Sequence, residues 1–168
     1  MLRVWAPRGV NIVQPLELRY TWRYLVLAVD DLSGRLHWAW APNMQGASLA
    51  SILASWQAAG LPGLVWDGAG SHRGRLVRDV GPPTVIQPAA VELNPAERVF
   101  EEVHRRVEGR RYATLADKPA AVERYPTVLA AAPDRVKSLA GWAWIASALT
   151  VTLENLQASL RLAITRLS

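Results

Sequence analysis

Hydrophobic and polar residues follow two different periods along this chain, and the change comes near its middle. Residues 18–29 (LRYTWRYLVLAV) are rich in aromatic and β-branched types and predict a strand. Asp30, Asp31, Ser33 and Gly34 form a turn cluster. Residues 35–41 (RLHWAWA) then set Leu36, Trp38 and Trp40 on one face and Arg35, His37 and Ala39 on the other, a half-buried strand returning from a hairpin. Ser48 is placed to cap a helix in which Leu49, Ile52, Leu53 and Trp56 recur at helical spacing and which Gly60 ends. Leu64-Val65-Trp66-Asp67 is a short apolar run bounded by glycines, the pattern of a buried parallel strand. Arg73 to Val80 has room for a helical turn or two before Pro82 and Pro83, and residues 84–87 (TVIQ) read as another short buried strand. A helix between two short apolar strands is the βαβ signature, so the expected class is α/β with a mixed sheet.

The second half is helical. Asn94-Pro95-Ala96-Glu97 opens a helix whose apolar stripe is Ala96, Val99, Phe100, Val103 and Val107. Residues 114–146 predict shorter helices broken at Pro119, Pro126 and Pro133. From Leu149, the residues Leu153, Leu156, Leu160, Ile164 and Leu167 mark an amphipathic terminal helix, assigned to 147–168. No internal repeat, low-complexity tract or linker interrupts the chain, and 168 residues suit one domain with one modest core.

Composition narrows the class. Half the residues are hydrophobic and only 20% charged, too apolar for a disordered chain. The absence of cysteine excludes a disulfide scaffold and any cysteine-ligated metal site. No apolar run reaches the roughly 20 residues of a membrane span, and residues 1–10 lack the apolar stretch of a signal peptide. The expectation is a soluble, intracellular (cytoplasmic) globular domain, without a membrane partner. The net charge is +5, and all basic residues except Lys118 and Lys137 are arginine. Arginine's planar fork suits phosphate oxygens and points to a nucleic-acid partner. The competing explanation is a GC-rich genome that writes arginine for lysine.

Candidate chemistry concentrates at two carboxylates. Asp67 ends a predicted strand and enters the loop Gly68-Ala69-Gly70-Ser71-His72, and ligands of open α/β sheets bind beyond the carboxyl ends of strands. The plainer alternative is a turn aspartate followed by glycines. Glu97 has its own plain reading as part of a capping-box-like start after Asn94. The glycines complete no phosphate fingerprint, because Arg73 stands where a further glycine belongs. Ser71 and His72 are chain neighbours, the wrong geometry for a nucleophile and its base. His37 and His104 show no metal-ligand spacing. Asp67 and Glu97 together, one at a strand end and one in the first turn of the helix after the next strand, are oxygen ligands able to share divalent ions at a phosphodiester.

The words around these residues carry a resemblance. Trp5-Ala6-Pro7-Arg8-Gly9, the hairpin ending Asp30-Asp31-Leu32-Ser33-Gly34-Arg35, then Leu64-Val65-Trp66-Asp67-Gly68-Ala69-Gly70-Ser71-His72, then Glu92-Leu93-Asn94-Pro95-Ala96-Glu97-Arg98-Val99-Phe100 occur in this order. Together with residues 139–145 (LAGWAWI), they resemble the catalytic domain of bacterial insertion-sequence transposases related to the mariner elements, over about 2–145. The resemblance implies an RNase H-like mixed sheet flanked by helices in 1–146. It also implies DNA cutting and joining by an Asp-Asp-Glu triad with two Mg²⁺ (or Mn²⁺) ions. Asp67 matches the second carboxylate and Glu97 the third, both as catalytic residues and metal ligands. His72 and Asn94 take supporting positions, and Arg73, Arg75, Arg78, Arg105 and Arg106 are candidate phosphate contacts on transposon-end DNA, with plain surface charge as the alternative.

The chain also departs from the family pattern. Gly68 stands where asparagine is usual, and Ala89-Ala90-Val91 replaces the familiar Pro-Tyr-Ser-Pro. The family's first aspartate precedes the Trp-Ala-Pro-x-Gly word, and only Met1-Leu2-Arg3-Val4 precede Trp5 here. Asp30 and Asp31 are poor substitutes, because the strand they end runs antiparallel to the missing one. The expectation is therefore a sheet lacking its central strand, in a truncated frame or one half of a frameshifted pair, inactive alone. A homodimer or a companion N-terminal fragment are the expected protein partners. Other readings are a non-catalytic DNA-binding or oligomerising remnant, or an unrelated small α/β domain.

Overall fold

The structure is a computed structural model that describes residues 7–9, 22–86 and 94–144, together with 147, 150, 151, 154 and 155. Strand β1 (Tyr24–Asp30) pairs antiparallel with β2 (Arg35–Ala41), in register from Tyr24 opposite Ala41 to Asp30 opposite Arg35. The predicted strand thus begins later than residue 18, and residues 18–21 lie outside the described residues. Asp30 shapes the turn: its carboxylate accepts from the Leu32 and Ser33 amides at 3.0 and 3.1 Å and from the Ser33 hydroxyl. Gly34 closes the turn at φ +77° with its Cα packed on the Pro133 backbone, so a β-carbon there would both strain the backbone and collide.

Helix α1 (Gly46–Ala58) follows. Its start differs from expectation: Gln45 is the capping position, and Ser48 sits inside the first turn. Asn43 makes the turn instead, accepting from the Gln45 amide at 3.0 Å and the Ser48 hydroxyl at 2.9 Å. Gly60 ends α1 as expected, at φ +93°, with the Leu61 amide returning to the Trp56 carbonyl. Strand β3 (Leu64–Trp66), a short 3₁₀ turn at Gly70–Arg73, helix α2 (Arg75–Val80) and β4 (Thr84–Ile86) complete the βαβ unit, with β3 and β4 parallel.

Helix α3 (Pro95–Val107) carries the predicted stripe, with Ala96, Val99, Val103 and Val107 buried. Helix α4 (Asp117–Ala130) corrects the sequence reading, because it runs through both Pro119 and Pro126. Pro119 occupies the first turn, where a missing amide hydrogen costs nothing. Pro126 does forfeit a helix hydrogen bond, and its side chain lies fully buried in the core, so packing offsets the loss. Pro133 does mark a break, opening α5 (Pro133–Ala140). The stripe of the expected terminal helix, from Leu149 to Leu167, lies outside the described residues, as do Met1–Ala6, Glu92 and Leu93.

The architecture is mixed α/β with five α-helices and two small sheets among the described residues. The sheet order is β1-β2 and, separately, β3-β4. Alternation in β1 serves two cores. Leu25, Leu27 and Val29 join Leu36 and Trp40 against α3, α4 and α5, whereas Val26 and Ala28 face Leu49, Leu53 and Trp56 of α1. Leu64 and Trp66 of β3 pack on that second cluster. Both sheets therefore contribute to one core beneath α1 without pairing with each other.

Candidate metal-binding carboxylates

Asp67 lies one residue beyond β3, at the carboxyl end of the parallel pair, with its side chain half exposed. Its Oδ1 accepts from the Ala69 amide at 3.0 Å, an Asx turn that starts the glycine loop, and stands 2.6 Å from His72 Nδ1. The 3₁₀ turn brings His72 back over the strand end, where its ring stacks on Trp66 at 3.9 Å with planes 4° apart. His72 is mostly buried, so the stack fixes one carboxylate oxygen, while Oδ2 has no partner among the described residues. Arg73 lies across Gly68, and a β-carbon on Gly68 would fall within 2.5 Å of its guanidinium. The asparagine usual in the resembling family would have to displace Arg73.

Asn94 caps α3 as expected, its Oδ1 accepting from the Ala96 amide at 3.0 Å, with Pro95 in the first turn. Glu97 follows in that turn, where a negative charge is favoured by the helix dipole. Its amide donates to the Asn94 carbonyl, and its half-buried carboxylate forms no hydrogen bond or ion pair among the described residues. Glu97 therefore does not close a reciprocal capping box, which leaves its oxygens available. Among the described residues no group of three or more His, Asp or Glu side chains is gathered as a metal site.

The candidate phosphate contacts divide. Arg75 pairs with Asp79 at 3.0 Å; Arg105 meets Glu102 at 2.6 Å and Glu101 at 3.9 Å. Arg106 pairs with Glu102 and lies 3.8 Å over the Tyr125 ring. The Arg106 hydrogen bond, more than any other influence, holds the Glu102 carboxyl below the ordinary glutamate range. Arg73 and Arg78 are exposed and carry no ion pair among the described residues. His37 lies 5.7 Å from Trp56, and burial lowers its pKa.

One carboxylate that the sequence sets aside as a substitute for the first aspartate is buried. Asp31 reads as a turn residue, yet only 4% of it is exposed, and its carboxylate has no side-chain partner among the described residues, only the nearby amides of Asp31 and Leu32. Burial pushes its pKa above the ordinary aspartate value against the pull of the Asp31 and Leu32 amides, and the charge of Asp30 adds to the rise. Asp30 and Asp31 are thus occupied by the hairpin turn and by burial. No helix among the described residues is long and apolar enough to cross a membrane. No family model, curated protein or solved structure matches the chain significantly.

Proposed function

We propose that this chain belongs to the catalytic domain of a mariner-related, DDE-type transposase with an RNase H-like sheet, in which Asp67 and Glu97 are the second and third carboxylates. The observation that carries the reading is the placement of Asp67 just past a parallel strand and of Glu97 in the first turn of the helix after the next strand. Asp67 Oδ2 and the Glu97 carboxylate are hard oxygen donors with no partner among the described residues, which suits Mg²⁺ or Mn²⁺, ions that take one or two protein carboxylates and complete their shell with water. Bound there, such ions supply an activated hydroxyl and charge neutralisation at a DNA phosphodiester. His72, held by Trp66, orients the Asp67 carboxylate. Asn94 holds the start of α3 and hence the position of Glu97. Of the candidate phosphate contacts, Arg73 and Arg78 are the two without a carboxylate partner among the described residues, and these would meet the DNA backbone.

The test is Mn²⁺ titration followed by water-proton relaxation, with duplex DNA cleavage run alongside. The wild-type chain binds Mn²⁺, Asp67→Ala and Glu97→Ala each weaken binding at least about tenfold, and the chain alone does not cut DNA. Cleavage abolished by Asp67→Ala would reveal a substitute third carboxylate. Salt-dependent DNA binding with no Mn²⁺ site would instead identify a non-catalytic remnant.

A further inference from the structure

Tryptophan is unevenly placed in this fold. Trp38, Trp40 and Trp66 are half-buried and Trp56 is buried, but Trp142 and Trp144, just beyond α5, are 39% and 47% exposed. Their ring centroids lie 6.0 Å apart with planes tilted by 54°. A built turn holds them there. Gly141 has φ −87° and ψ 65°, and the Trp142 amide donates to the Ala140 carbonyl at 3.1 Å, an inverse γ-turn. A β-carbon on Gly141 would lie 2.6 Å from the Lys137 carbonyl oxygen and 3.3 Å from that of Asp31, so glycine alone lets the turn seat between α5 and the hairpin. From α3, the Arg98 guanidinium lies over the Trp142 ring at 4.6 Å. Arg98 follows Glu97 and also meets Glu101 at 3.2 Å, with 43% of its side chain exposed. Arg135 and Lys137, on the α5 turns before Gly141, are exposed and have no carboxylate partner among the described residues.

We propose that Trp142 and Trp144 form a stacking platform for an unpaired base of single-stranded DNA, with Arg98 as its phosphate contact. Exposed aromatic surface of this kind marks a place of interaction, and the cation lying on it selects the partner. A protein core or lipid tails covering Trp142 would desolvate the half-exposed Arg98–Glu101 pair at a cost. A nucleotide instead offers a flat π-face to the indole and an anion to the guanidinium. A base inserted between two rings needs about 7 Å, twice the van der Waals separation. The pair at 6.0 Å and 54° therefore takes a base on the open face of Trp144, with Trp142 as the adjoining wall. A paired base has both faces covered within its duplex, so the platform selects single strands. The inference rests on the DNA part of the reading above and not on its metal site.

The probe is a fluorescein-labelled oligothymidylate of about twelve nucleotides, titrated into the full chain by anisotropy beside an all-abasic strand carrying the same phosphates. Oligothymidylate is expected to bind at least about tenfold tighter, because stacking adds to the shared phosphate attraction. Trp144→Ala removes that preference and Trp142→Ala reduces it, whereas Trp144→Phe keeps it. Arg98→Gln weakens both strands and lowers the slope of log affinity against log salt by about one. A strand carrying 5-bromodeoxyuridine, irradiated in the complex with the unaltered protein, crosslinks to Trp142 or Trp144. Equal affinity for the two strands, a preference that survives Trp144→Ala, or crosslinks confined to other residues overturns the proposal. An unchanged salt slope in Arg98→Gln overturns the phosphate contact. Self-association that Trp144→Ala abolishes, without any base preference, also overturns it and assigns the pair to a second copy. Base preference in a chain that binds no Mn²⁺ removes only the metal site, and Mn²⁺ binding without base preference removes only the platform.

Discussion

The hairpin β1-β2 and the parallel pair β3-β4 are built from equally apolar sequence, yet they are consolidated very differently. The hairpin has seven-residue strands and lies against three helices, with Leu129, Val99 and Val136 almost wholly removed from water. A hydrogen bond of 2.6 Å from Trp40 Nε1 to Glu123 ties it further to α4. The parallel pair has three-residue strands, all half-buried in β3, and leaves an indole N–H buried without an acceptor. Two strands alone are marginal, and lateral neighbours rather than apolar composition make a sheet stable. The region that carries Asp67 is the less consolidated one.

Equal substitutions in the two regions test this contrast most strongly. Leu129→Ala, in the hairpin's core, should cost about 2–5 kcal/mol in denaturant unfolding. Leu53→Ala, just as buried but in the core beneath α1 that β1 shares with β3, should cost about 1 kcal/mol less, because a loosely held β3 can relax into the cavity. Equal costs would show that the half-buried strands are as rigid as the hairpin.

A smaller effect comes from Asp31, beside the hairpin turn. Its folded pKa is raised, chiefly by desolvation and secondarily by Asp30, so the folded state favours the neutral acid. Stability is greatest below the ordinary aspartate pKa, falls as pH rises through the raised folded value, and is level above it. Asp31→Asn should match the wild type near pH 3 and exceed it by on the order of 1 kcal/mol at pH 7. A wild-type profile that rises over that window would contradict the assignment. Smallest of all, Asn94→Ala should cost about 1 kcal/mol through loss of the cap on α3. Mn²⁺ affinity, read in the same variant, would reveal whether that helix start also positions Glu97.

Much of this was legible in the chain. The Asp30–Gly34 turn, the β2 limits, the Gly60 stop, the βαβ unit and the Asn94 cap all follow from local signals, because turns, caps and periodicity depend on residues within one or two turns of each other. Ser48 misled because Asn43, five residues earlier, competes for its hydroxyl. Pro126 misled because its helix survives through burial against distant elements, which propensity cannot register. The strand-end place of Asp67 and the helix-start places of Asn94 and Glu97 were legible from position. The Trp66–His72 stack and the ion pairs that engage Arg75, Arg105 and Arg106 were not, since they depend on which rotamers and helix faces meet.

By itself, then, the sequence determined the elements and their order, for each is set by short-range sterics and by the period of its apolar residues. The tertiary structure alone decided that, among the described residues, four apolar strands form two separate pairs, and that a turn aspartate lies buried. Those outcomes turn on which backbone edges find a neighbour, and edge pairing is a property of distant segments meeting in space.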